Sequence, residues 1–270
     1  MEKGKVDYHT TYGKVLVKKM IRTVNVKGES VVKGGKCTTE KMSPRPRTVT
    51  PITVQMMTLI KAKLNQTDPF NLAFFACLTT IFYTAARVGE FMIQRLDSFN
   101  PMEHITHNGV WDDTDRNSLH TKVFTLPRTK SSPVGEEVHW ARQDGPTDPS
   151  DALDKHLLAN DPPANGPLFA YKTAKGHRPM TRQTFIVRLN KVTQAAGLNR
   201  VHGHGIRIGA TLEYLLRGVP FDVMKVKGRW ASNAFQLYLR KHNQILAPYM
   251  QAMPPETASE FTRLAMPPVR

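Results

Sequence analysis

The chain has 270 residues, 40% of them hydrophobic, and 38 Lys/Arg against 22 Asp/Glu give a formal net charge of +16. The apolar share is enough to bury a core, and two cysteines, Cys37 and Cys77, exclude a disulfide framework and fit a reducing compartment. A balance this basic suits a polyanionic partner, nucleic acid before membrane, and half of the excess (12 Lys/Arg, 4 Asp/Glu) lies in residues 1–50.

The N-terminal "MEKGKVDYHT" lacks an apolar stretch of signal-peptide type. Residues 1–48 show no sustained helical period; "VNVKGESVV" suggests a hairpin turning at Lys27-Gly28, and "SPRPR" reads as a linker. Folded patterns begin at Thr50-Pro51. Thr53 is placed to cap a helix through Met56, Met57, Leu59, Ile60 and Leu64, and Asp68-Pro69 starts a second one. The run "FNLAFFACLTTIFYTAA" is apolar nearly all round and breaks at Arg87, so it predicts a central helix rather than a membrane span. A further short helical stretch is expected to reach Phe99.

The character changes over 103–142. "LHTKVFTLP" and "EEVHW" have strand composition and flank the polar turn "RTKSSPVG", which predicts a small antiparallel sheet. Helices return after Ser150, through Leu153, Leu157 and Leu158, and after Thr181, through Phe185, Ile186 and Leu189. In "RVHGHGIRIGATLEYLLRG" the expected buried stripe is Ile208, Leu212, Leu215 and Leu216, with Gly218 as the stop. A short helix should follow Pro220, and Ser232 caps a last one carrying Phe235, Leu239 and Leu246. The expected fold is mainly α with a small antiparallel β-sheet (α+β). Its parts are a basic irregular segment 1–48, a folded domain 49–250 and a tail 251–270.

The chemistry concentrates in a few places. His204 and Arg207, at spacing i, i+3 on a helix start, make an anion site with the free backbone N–H groups and the positive end of the dipole. Gly203 and Gly205 are expected to let a phosphate approach the backbone. Arg87 follows the central helix in "AARVGEF", where Glu90 can hold it. Lys130 sits at the hairpin tip in "LPRTKSS", and "GRWASNAFQLYLRKH" puts Tyr238 on a helix. A phenol needs neighbouring cations to attack phosphorus, and two arginines and a lysine supply them.

These residues, in this order, resemble the catalytic domain of the tyrosine recombinase (phage-integrase) family, and within it the integrase-like proteins of fungal mobile elements. The family pattern is an R-x-x-E arginine, a hairpin lysine, an H-x-x-R helix start, a His or Trp after a glycine, and a tyrosine. Here these are Arg87 with Glu90, Lys130, His204 with Arg207, Trp230 and Tyr238, over roughly residues 50–250. Trp230 lies eight residues before Tyr238 where the family has nine, a place held here by Arg229; Trp230 is preferred. Each residue has a plainer alternative: an Arg87–Glu90 pair at a helix end, a solvated Lys130, a capping His204, a core Trp230. Tyr249 rivals Tyr238, and "HGH" has no third metal ligand at a recognisable spacing.

The resemblance implies attack of Tyr238 on a DNA phosphate to give a 3′-phosphotyrosyl link, with Arg87 and Arg207 on the phosphate oxygens. It further implies Lys130 as general acid, proton transfer aided by His204, and Trp230 buttressing the site. Strand rejoining conserves the bond energy, so no metal, ATP or other cofactor is needed. The implied partner is double-stranded DNA, with self-association on it and no membrane, in a nucleus or a cytoplasm. A type IB topoisomerase-like relaxase and a non-catalytic DNA-binding remnant are the alternatives. Family enzymes also carry an N-terminal clamp domain for which 1–48 is too short. The short segment Glu256 to Met266 is expected either to dock on a neighbouring protomer or to be a tail.

Overall fold

A computed structural model describes residues 49–232 together with Ile245, Ala247 and Met250. The expected hairpin at Lys27-Gly28, the helix from Ser232, Tyr238, Tyr249 and the segment 251–270 lie outside the described residues. Among those described, six α-helices surround a three-stranded antiparallel sheet and a two-stranded hairpin, so the fold is mainly α with a small sheet, as expected.

Helix α1 spans Val54–Ala62 and starts where Thr53 accepts the Met56 N–H at 3.2 Å. Helix α2 spans Pro69–Tyr83; the Asp68 carboxylate accepts the Phe70 N–H at 3.1 Å, and proline fills the first turn, where no donor is needed. Twelve of the 15 residues of α2 are buried, which makes it the axis of the domain. Phe74 and Phe82 on it are fully buried, as is Phe185 of α4 (Arg182–Ala195), whose ring centroid lies 5.1 Å from that of Phe74. Each such ring contributes about 2–3 kcal/mol on leaving water.

Strands β1 (Val110–Thr114), β2 (His120–Leu126) and β3 (Glu136–Trp140) pair in the order β1-β2-β3. The β2–β3 register, Leu126 opposite Glu136, sets the expected hairpin. Helix α3 (Pro149–Asn160) packs along α2 and is capped by Asp148, so it begins just before Ser150 rather than after it. The hairpin β4 (Tyr171–Thr173) and β5 (Gly176–Arg178) then leads to α4, capped by Thr181. Helix α5 spans Gly203–Leu216 and packs on α2, and α6 spans Phe221–Lys227. Gly218, at φ +90°, follows the end of α5 as anticipated.

Four expectations need correction. No helix reaches Phe99: the chain makes one 3₁₀ turn, Val88–Glu90, and then irregular turns, because Arg87 is extended and Glu90 is drawn back onto it. Leu158 is 87% exposed and Leu216 48% exposed, so neither belongs to its helix's buried stripe. On α3 the inward position falls to His156, which is fully buried. The strands β1, β4 and β5 add to the expected pair.

Candidate active site

The turn after α2 delivers Arg87. Ala85 takes a left-handed conformation, φ 51°, and the Ala86 N–H reaches back to the Ile81 carbonyl at 3.1 Å, so the helix stops abruptly. The next turn is closed by Glu90. One of its oxygens accepts the Arg87 backbone N–H at 2.8 Å, and the other accepts Arg87 Nη1, also at 2.8 Å. A single carboxylate, itself only 6% exposed, thus fixes both the backbone and the guanidinium of Arg87.

The β2–β3 hairpin delivers Lys130, exposed at its tip. The tip is held by the Thr129 N–H on the Ser132 carbonyl at 2.9 Å and the Ser132 N–H on Thr129 Oγ1 at 3.0 Å. Gly135, φ 86°, closes it; a Cβ there would stand 2.8 Å from the carbonyl oxygens of Leu126 and Pro127. Glu136 organises the tip from below, accepting from Thr129 Oγ1 and from Ser131 Oγ, the latter at 3.2 Å. Arg87 Nη1 touches the same Ser131 Oγ at 3.3 Å, which joins the hairpin to the Arg87 turn.

The start of α5 differs from its expected role. A side chain at Gly205 would collide with the Thr50 carbonyl, and one at Gly209 with the Ile52 backbone. At Gly203 it would crowd Val88 and Ile186 at 3.0 and 3.2 Å. These glycines seat neighbouring protein, so Gly203 and Gly205 do not open the backbone to a phosphate. His204 is exposed, whereas Arg207 is only 3% exposed. Three residues of helix leave the two side chains about 60° apart around the axis, enough at this edge to send one to solvent and one inward. Arg207 Nη2 donates to the Gly228 carbonyl, and its guanidinium lies 4.4 Å from the Trp230 ring centroid. Gly228 has to be glycine, since the Trp230 ring occupies the space a Cβ would take. Half-buried Trp230 thus covers Arg207.

Arg229 points elsewhere. Its backbone is left-handed, φ 57°, and its fork reaches Glu90 Oε2 at 2.5 Å and Glu136 Oε1 at 2.6 Å. Burial pushes the Glu90 carboxyl up, but the Arg229 charge and the bonds from Arg229 and Arg87 outweigh it and hold Glu90 below the usual carboxylate range.

Between the Arg87 turn, the hairpin and the start of α4 lies a cavity of about 560 Å³, lined by Arg87, Glu90, Arg128, Lys130 and Arg182 among others. Arg182 is set there by its N–H on the Ile93 carbonyl at 3.0 Å, beside the Ile93–Thr181 bridge. Arg128 pairs with Glu103 at 3.0 Å. The structure therefore gathers Arg87, Glu90 and Lys130 at one cavity and pairs Arg207 with Trp230 in a separate contact; His204, Arg207 and Trp230 do not line that cavity. Arg128, Arg182, Glu136 and Ser131 were not anticipated. Arg128 opens the polar turn "RTKSSPVG", and Arg182 follows the capping Thr181, but only the fold brings them together.

No family model matches the chain. No curated protein sequence matches it. Among solved structures it is similar to the XerA recombinase, at 15% identity and a TM-score of 0.48, over 84% of this chain and 68% of that one. The XerH site-specific recombinase bound to a palindromic difH substrate gives 12% identity and a TM-score of 0.48, over 89% of this chain and 66% of the other. An FLP recombinase–Holliday junction complex gives 10% and 0.45, over 96% of this chain and 58% of the other. The chain spans between about three fifths and two thirds of the length of these solved structures.

Proposed function

We propose that this chain breaks and rejoins DNA strands through a 3′-phosphotyrosyl intermediate, with Tyr238 as the nucleophile. The observation that carries the reading is the basic cavity that holds Arg87, fixed by Glu90, opposite the hairpin of Lys130. A preorganised guanidinium and an ammonium at one concave site suit a phosphodiester, and the net charge of +16 suits its polymer. In the reaction the Tyr238 oxygen attacks phosphorus while the bond to the 5′-oxygen breaks. The phenol proton leaves with the help of exposed His204. Lys130 donates a proton to the departing 5′-oxygen. Arg87 binds the non-bridging oxygens at the cavity, where charge develops, and Arg207 joins it there once the Gly228 carbonyl and the Trp230 ring release its guanidinium. Attack by a 5′-hydroxyl reverses the step and frees the enzyme.

The test is a nicked duplex from which the cleaved 5′ fragment diffuses away. A protein–DNA adduct that survives denaturation is expected with the wild-type chain, lost in Tyr238→Phe and kept in Tyr249→Phe. The opposite pattern moves the nucleophile to Tyr249. No adduct at saturating DNA leaves a DNA-binding protein without this chemistry. Where an adduct forms, exchanged strands rather than a relaxed circle distinguish a recombinase from a relaxase. EDTA should leave the adduct yield unchanged; strict magnesium dependence would contradict the mechanism.

A further inference from the structure

Five side chains close a ring that shares Arg87 and Glu90 with the cavity. Arg87 Nη1 donates to Glu90 Oε1 at 2.8 Å, and Arg229 Nη2 to Glu90 Oε2 at 2.5 Å. Arg229 Nη1 donates to Glu136 Oε1 at 2.6 Å, Ser131 Oγ to the same oxygen at 3.2 Å, and Arg87 Nη1 to Ser131 Oγ at 3.3 Å. The ring joins three separate pieces of chain: the turn after α2, the β2–β3 hairpin and the loop after α6. We propose that Arg229 is a positioning residue, a buried clamp that locks the Lys130 hairpin against the Arg87 turn and keeps the Arg87 guanidinium turned toward the cavity. This rests on the strand-cleavage reading above.

Three features support it. The Arg229 side chain is only 10% exposed and spans two carboxylates from different elements, which a planar fork does and a lysine point charge does not. Its left-handed backbone is disfavoured for a residue with a Cβ, so the surrounding contacts must hold it. Charge balance gives the third. Without Arg229 the Glu90 and Glu136 carboxylates would lose the cation that bridges them, and Arg87, which holds Glu90 and touches Ser131, would remain beside both acids. Arg87 would then be drawn into the protein, and Glu136 would lose the partner that fixes the hairpin tip. Arg229 neutralises both acids from the rear. The 35% of the Arg87 side chain that remains exposed is left for a phosphate.

The experiment uses the full chain in four forms: wild type, Arg229→Met, Arg229→Lys, and Arg229→Met with Glu136→Gln. Amide hydrogen exchange of residues 129–132 is read by mass spectrometry without DNA, and adduct formation is read at saturating nicked duplex. Arg229→Met should speed exchange at the hairpin by about 10-fold or more while α2 stays protected. It should slow cleavage by about 100-fold with duplex affinity changed by less than about threefold. Arg229→Lys should fall between. Adding Glu136→Gln should recover at least about a tenfold part of the lost rate, because the repulsion is gone. Unchanged exchange and rate in Arg229→Met overturn the clamp, as does a global loss of protection that Glu136→Gln does not relieve. If even the wild type forms no adduct, the strand-cleavage reading fails on its own account, and hairpin exchange still decides whether Arg229 clamps.

Discussion

Arg87 and Arg207 face different physical demands despite their matching expected roles. Arg87 is a surface guanidinium held in shape by Glu90, whereas Arg207 is buried between the Gly228 carbonyl and the Trp230 ring. Arg87→Ala should therefore slow cleavage by about 100-fold while leaving denaturant unfolding almost unmoved. Arg207→Ala should do the same to cleavage and also cost about 2–3 kcal/mol of stability, since a desolvated cation–π contact and buried volume go with it. Urea titration with single-turnover kinetics separates the two. Equal stability losses would mean that the burial contrast has no energetic weight. Arg207→Lys should not rescue either property, because an ammonium cannot both stack on Trp230 and reach the carbonyl as a fork does.

At the scale of elements the glycines of α5 carry the sharpest prediction. Gly209→Ala drives a methyl into the Ile52 backbone, and backbone yields less than a side-chain tip. A loss of about 3 kcal/mol in thermal or urea unfolding is expected, against about 1 kcal/mol for Gly203→Ala, whose obstacles are the Val88 and Ile186 side chains. Comparable losses would place the tight contact elsewhere. These glycines also mark where the sequence stops being legible. Thr53 and Asp68 are legible as caps because capping is settled within three residues. Gly205 was misread because its neighbour, Thr50, is remote in the chain, and a close approach by protein or by phosphate asks for the same residue. Strand β1, "VWDDT", escaped notice because its residues are mostly exposed and polar, with no alternation to signal it. The tightness of the hairpin tip and the partners of Arg229 depend on Glu136, whose role no local pattern announces.

For the molecule as a whole, the buried polar knot at the end of α3 ties stability to pH. His156 meets the Leu168 carbonyl with Nε2 at 2.9 Å, and its Nδ1 accepts from the Asn160 amide at 2.9 Å. Asn160 also donates to the Pro69 carbonyl at 2.9 Å and accepts the Lys172 N–H at 2.8 Å, so one side chain links α2, α3 and β4. Burial, with a smaller contribution from His107, lowers the His156 pKa to about 4. The unfolded chain takes up that proton near pH 6.5, before the folded chain does, so stability is full above that value and falls as pH drops toward 4. The loss is about 3 kcal/mol, and His156→Gln should flatten that part of the curve in urea titrations at stepped pH. A wild-type curve flat between pH 6.5 and 4 would show that His156 is not held neutral. Duplex affinity should respond to salt rather than pH, log K falling with log salt by about 0.9 for each phosphate neutralised. Salt-independent binding would contradict a phosphate-driven contact. The seat that Gly205 and Gly209 make for Thr50–Ile52 has a mechanical side. The Ile52 N–H grips the Gly205 carbonyl at 3.0 Å, and Arg207 lies between the two glycines on the same helix. Tension applied ahead of residue 49 thus loads α5 directly, as a bowstring loads its limb. In an optical trap with the handle there, Ile52 should peel away as a first small step, and cleavage should slow with load well below the force that unravels the domain.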